Sequence, residues 1–172
     1  MLRKILLLAF LSVAGSTAIA HPGDHAGGLA HGFAHPFLGL DHLLAMMIVG
    51  LWAVRGAQRI WLLPALFVTF MAIGAALGPL PLPLVEPMIL LSIAVFALAA
   101  VLARRLPLWL GSAVVGGFAL FHGHAHFTEM PDTSAAAFLA GMLLATALLH
   151  LAGVGIALAG RLIPRRAARK AA

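Results

Sequence analysis

The sequence predicts an all-α protein, a polytopic bundle of about five transmembrane helices behind an N-terminal signal peptide, and three observations carry that prediction. Of the 172 residues, 63% are hydrophobic and 9% charged, with a mean hydropathy of +1.07, whereas soluble domains carry roughly 25% charged residues. The apolar residues form runs near the ~20 residues a helix needs to cross a hydrocarbon core. They do not alternate as membrane strands do. The basic residues flank these runs at Arg3–Lys4, Arg55–Arg59, Arg104–Arg105 and Arg161–Lys170, a pattern of topology rather than of nucleic-acid binding. Cysteine is absent, which excludes disulfides, thiolate metal sites and a cysteine nucleophile. The length fits one transmembrane domain, 21–172, with no room for a soluble one.

Residues 1–20 have the parts of a signal peptide: Arg3 and Lys4 at the start, an apolar stretch from Ile5 to Val13, and the small-x-small sequence Ala18-Ile19-Ala20. Cleavage after Ala20 makes His21 the amino terminus and leaves the next segment outside. Helices are expected at about 33–54, 60–78, 87–103, 108–127 and 134–162. Threading them alternately sends Arg55, Arg59, Arg104, Arg105 and the segment from Arg165 to Lys170 inside. The outer loops then carry Glu86, Glu129 and Asp132 and no Lys or Arg, as the positive-inside rule requires. Pro36 is placed near the start of the first span, where a missing N–H costs little, and Pro79, Pro81 and Pro83 stiffen an outer loop. Gly74, Gly78, Gly153, Gly155 and Gly160 read as close-packing positions without a chemical role.

Ionisable residues are the exception inside these runs. The chain has nine histidines, and most of them crowd with Asp41 and Glu129 into 31–42 and 122–129. Each such group in a bilayer costs on the order of 2.5–3.5 kcal/mol on insertion scales, so a shared interior site is expected. Imidazole mixed with carboxylate suits a divalent ion such as Ni²⁺, Co²⁺ or Zn²⁺. His122, His126 and Glu129 project from one helical stripe, and a His pair four residues apart can chelate an ion directly. His35 and His42 share a face, but a straight helix separates them by about 10 Å. One small ion would reach both only if Pro36 and Gly39 bend the backbone. Asp41, His42 and His122 lie at a similar depth, on the order of 10 Å below the outer surface, so the two clusters are expected to face each other. His35, Asp41, His42, His122, His126 and Glu129 therefore make up the expected metal site, with carboxylates as ligands or as acceptors behind the imidazoles.

Most accessory positions carry two readings. His21 and His25 collect metal outside the membrane or belong to a solvated tail. His31 is an entrance ligand or an interfacial side chain. Met46, one turn from His42, is a ligand or packing, and His124 points away from the His122 stripe. His150, deep in the last helix, is an exit-path ligand or a hydrogen-bonding partner of a neighbouring helix.

The strings His35-Pro-Phe-Leu-Gly-Leu-Asp41-His42-Leu-Leu-Ala-Met46 and Phe121-His122-Gly123-His124-Ala125-His126-Phe127-Thr128-Glu129 resemble the two motifs of the HupE/UreJ nickel permeases, accessory proteins of hydrogenase and urease. The resemblance covers most of the chain beyond the signal peptide. The family pattern is His, five residues, Asp-His, and then Phe-His-Gly-x-Ala-x-Gly-x-Glu. It implies that His35, Asp41, His42, His122 and Glu129 are transport residues. Phe127 stands where the family has glycine and is expected to fill space near Glu129. Relatives often carry a further hydrophobic span after the region of Arg161, whereas the charge pattern here supports five.

What the resemblance implies is a permease of the bacterial inner membrane, amino terminus periplasmic and carboxyl terminus cytoplasmic, and not an enzyme. It moves Ni²⁺, with Co²⁺ or Zn²⁺ as further cargo, and holds no permanent cofactor. Its expected partners are the metal ion, the lipid bilayer and, through the small-residue faces, a second copy of itself. Nucleic acid is not among them. No Gly-x-x-x-x-Gly-Lys loop occurs, so no ATPase function is evident in this chain. From the residues alone two rival readings stay open. A membrane-embedded zinc hydrolase would use Glu129 as base with Ser112 or Thr128 assisting, without a His-Glu-x-x-His signature. A b-type haem protein would use facing histidines as axial ligands and leave the carboxylates unexplained.

Overall fold

The computed structural model describes residues 28–56, 59–130 and 134–162. The expected signal peptide, His21 and His25 lie outside the described residues. Among the described residues every regular element is helical: α1 (Gly28–Leu38), α2 (Leu40–Gly56), α3 (Leu62–Ala76), α4 (Val85–Leu102), α5 (Leu108–Phe127) and α6 (Ala135–Leu162). A helix satisfies its own backbone groups, which is the condition hydrocarbon imposes on a spanning segment. α4 and α6 are each long and apolar enough to cross a membrane, as are α1 and α2 taken together, while α3 is a shorter apolar helix of 15 residues.

The first expected span is corrected by the structure. It begins at Gly28 and breaks at Gly39, where α1 and α2 meet at 81°. Pro36 lies near the end of α1 rather than at the start of a long helix; it supplies no N–H and disfavours helical continuation around it. The chain restarts at once. The Leu43 amide donates to the Gly39 carbonyl at 3.0 Å, and the Asp41 carboxylate accepts from the His42 amide at 2.9 Å, placing negative charge at the positive end of α2. At the other proline cluster, Leu84 takes a left-handed conformation, φ 62°, and turns the chain into α4.

Glycines set how closely the helices pack. α3 and α5 run parallel: Gly111 lies against Leu63, Gly116 against the Phe70 ring, and Gly123 on the Met71 carbonyl, while Gly74 returns the contact on the Leu120 carbonyl. α2 and α6 also run parallel, with Gly50 on the His150 carbonyl, Gly153 on that of Met47, and the Arg161 guanidinium donating to the Val54 carbonyl farther along. Parallel pairs of this kind follow from alternate threading. Of the five glycines read as packing positions, Gly74, Gly78 and Gly153 are in close contact, but Gly155 and Gly160 have nothing within 4 Å of where a Cβ would stand. Phe127 turns its ring onto Gly78, so the side chain fills the notch that this glycine leaves.

The two ends of the bundle differ in chemistry. Arg55 donates to the Ala100 carbonyl at 3.5 Å and Arg161 to Val54, so the ends of α2, α4 and α6 meet. A cavity of about 300 Å³ opens there, lined by Trp52, Gly56, Arg59, Arg104 and Pro107 among others. Guanidinium groups make it unsuited to a cation. The histidines of α1, α2 and α5 gather at the opposite end.

Candidate metal centre

The break at Gly39 assembles the site. It lets His35, on α1, and His42, in the first turn of α2, bring their rings to 6.5 Å centroid to centroid, a proximity that a straight helix denies them. The last two turns of α5 contribute His122 and His126. The rings form a file: His35 to His126 at 4.8 Å, His126 to His42 at 4.5 Å, and His42 to His122 at 5.2 Å. Gly39 also makes room, because a Cβ there would stand 2.8 Å from Asp41 Oδ1 and 3.2 Å from His42 Nδ1.

Three of these imidazoles have one nitrogen committed to an acceptor. His42 Nδ1 meets Asp41 Oδ1 at 3.0 Å, His126 Nδ1 donates to Glu129 Oε2 at 2.9 Å, and His122 Nδ1 donates to the Phe118 carbonyl at 2.9 Å. These acceptors fix the tautomer and leave a lone pair on the other nitrogen. Among the described residues, Nε2 of His42, His122 and His126 has no hydrogen-bond partner and is shielded from solvent. A buried polar atom left without a partner costs about 1–3 kcal/mol, and three at neighbouring rings call for an explanation. Carboxylate or carbonyl behind Nδ1, with Nε2 presented forward, is how histidines are held for a metal.

Glu129 closes the outer edge of the file. α5 ends at Phe127, so Glu129 lies in the turn beyond it rather than on the helix stripe, and its amide donates to the His126 carbonyl at 3.2 Å. Its carboxylate folds back to accept from His126 and, at 2.9 Å, from His35 Nε2. Burial pushes this carboxyl up, but the hydrogen bonds from His126 and His35 outweigh it and hold the group well below the usual carboxylate range. Its side chain is 47% exposed. Ligand atoms of His35, His126 and Glu129 lie within 4.8 Å of one another, an arrangement open to an incoming cation.

The accessory positions separate. His31 is exposed and, like His35, has its ring 5.6 Å from that of Phe138. Met46 is wholly buried in the apolar core. His124 is 7% exposed, and its Nδ1 has no partner among the described residues. His150 is buried, with Nδ1 donating to the Thr146 carbonyl at 2.7 Å. Sequence reasoning missed Phe67, whose ring stands 5.2 Å from His122 and 4.9 Å from His150. A phenylalanine in an apolar helix carries no signal of that position, and neither does a backbone carbonyl such as that of Phe118.

An all-helical membrane protein with a file of histidines and carboxylates gathered at one end of its bundle is the class that this fold and site define. Within that class, the chain belongs to the HupE / UreJ protein family, whose sequence model matches residues 8–172. It is similar to Protein HupE of Rhizobium leguminosarum bv. viciae, at 45% identity over 146 residues that cover 83% of this chain and 76% of that one. No solved structure matches it.

Proposed function

We propose that this chain is a secondary permease that carries nickel, or another divalent ion such as cobalt, into the cytoplasm for metalloenzyme maturation. The observation that carries the proposal is the set of imidazoles of His42, His122 and His126, each with Nδ1 committed and a shielded Nε2 that has no partner among the described residues. Neutral imidazoles so oriented are ready ligands for a borderline cation. His35 and Glu129 receive the ion at the exposed edge, Asp41 orients His42, and the file hands the ion inward. A few exchangeable ligands suit a site that must release what it binds. The arginine-bearing end faces the cytoplasm under the positive-inside rule, and the histidine end faces outward. The membrane potential favours inward movement by roughly 2.3 kcal/mol per charge per 100 mV.

The haem reading loses support here, because rings in edge-on or tilted contact at 4.5–5.2 Å leave no slot for a porphyrin between them. The test is metal uptake by cells producing the full chain, followed by mass spectrometry of Ni²⁺, Co²⁺ and Zn²⁺. The expected result is that His42→Ala and His122→Ala abolish accumulation of the transported ion. Undiminished uptake of all three metals by both variants would overturn the proposal.

A further inference from the structure

The file of rings does not stop at His122. The next ring is Phe67, at 5.2 Å, and beyond it His150, at 4.9 Å from the same phenyl group. His150 repeats the device seen at His122. Each donates Nδ1 to the carbonyl four residues earlier on its own helix, Phe118 at 2.9 Å in one case and Thr146 at 2.7 Å in the other. Each keeps a buried Nε2 without a partner among the described residues. His150 is 1% exposed, so solvent does not satisfy that nitrogen either. The alternative of a hydrogen bond to a neighbouring helix is not what the structure contains, because the bond that His150 makes stays within α6.

We propose that His150 is the ligand of a second, inner metal station, set apart from the outer imidazoles by the Phe67 ring. The inference rests on the metal-transport reading and extends it. Depth supports the order of the stations. The His150 carbonyl packs on Gly50, which lies two helical turns past His42 on α2, on the order of 10 Å nearer the arginine-bearing end. Thr146, which orients His150 through its carbonyl, also donates its hydroxyl to Met71 Sδ at 3.6 Å. The free imidazole nitrogen of His150 is a donor of borderline softness, suited to the same class of divalent cation as the outer histidines. Two stations divided by an apolar ring allow an ion to be bound on one side while the other is free, a condition for binding that is strong enough to admit an ion and weak enough to release it.

The test uses the full chain, purified in detergent for equilibrium Ni²⁺ binding and produced in cells for Ni²⁺ uptake. Wild type is expected to show two classes of bound Ni²⁺. His150→Leu should lose one class and keep the other, with uptake down about tenfold or more, while His42→Ala loses the complementary class. The thermal midpoint of metal-free His150→Leu should equal or exceed that of wild type, because the change removes a buried polar atom that has no partner. His150→Met, which returns a soft ligand, should recover part of the uptake. Wild-type uptake or unchanged Ni²⁺ stoichiometry in His150→Leu would overturn the inner station, as would a lowered midpoint with full binding, the mark of a structural role. If His42→Ala and His122→Ala abolish uptake and His150→Leu does not, the inner station fails alone. If none of the three changes uptake, the transport reading fails with it.

Discussion

Gly39 and Asp41 show how the residues beside a histidine shape the site. Asp41 holds the His42 ring by its Nδ1 and the His42 amide by the same oxygen, at 3.0 and 2.9 Å. Asn in its place keeps the volume but loses the charge, and changes behind a metal-binding histidine typically cost about 10–100-fold in affinity. Asp41→Asn should therefore weaken Ni²⁺ binding by that order with an unchanged thermal midpoint, as calorimetric titration of the purified protein would read. Gly39→Ala should weaken binding by a similar factor for a steric reason, since its Cβ would meet Asp41 Oδ1 at 2.8 Å; wild-type affinity in this variant would show that the pair can shift freely. That His35, Asp41, His42, His122, His126 and Glu129 would come together was legible, because an ionisable group in an apolar run needs a reason. The partner of each nitrogen was not legible. The carbonyls of Phe118 and Thr146 belong to residues whose side chains carry no polar group toward the site or whose role lies in the backbone.

At the scale of the helix, spacing told which histidines share a stripe but misjudged where helices stop. The first span was read as continuous, and the 81° break at Gly39 is what joins His35 to His42. Pro36 and Gly39 signalled a bend, yet how far the axis turns depends on packing, and α1 turns to lie on the start of α6, where Gly32 sits on the Phe138 carbonyl and Gly141 on that of Leu29. Glycines were legible as packing positions in general and not individually, because contact depends on which face meets a neighbour. The difference is measurable. Gly123→Val would drive a side chain into the Met71 carbonyl, while Gly117 faces open space. Gly123→Val is expected to destabilise the fold by about 1–3 kcal/mol or more, seen as a lower midpoint in detergent. Gly117→Ala should leave the midpoint unchanged or raise it slightly, since alanine is the better helix former by up to ~1 kcal/mol.

Across the whole molecule, the histidine file opens at one end and the arginine residues stand at the other. Metal and proton compete for Nε2, and a protonated ring has no lone pair to offer. Uptake should therefore weaken as external pH falls. Initial uptake rates measured from about pH 8 to about pH 5 at constant membrane potential check this. A flat profile would assign rate control to the carboxylates. The sequence by itself determined the helical class, the alternation of basic and acidic loops, and the set of residues with metal-binding chemistry. Each of these depends on local composition or on the 3.6-residue period. Only the tertiary structure decided that α1 and α2 meet at a right-angled break, that Phe127 turns onto Gly78, and that Phe67 stands between His122 and His150. Those outcomes rest on which faces of distant segments come together, and an apolar side chain carries no mark of the neighbour it will meet.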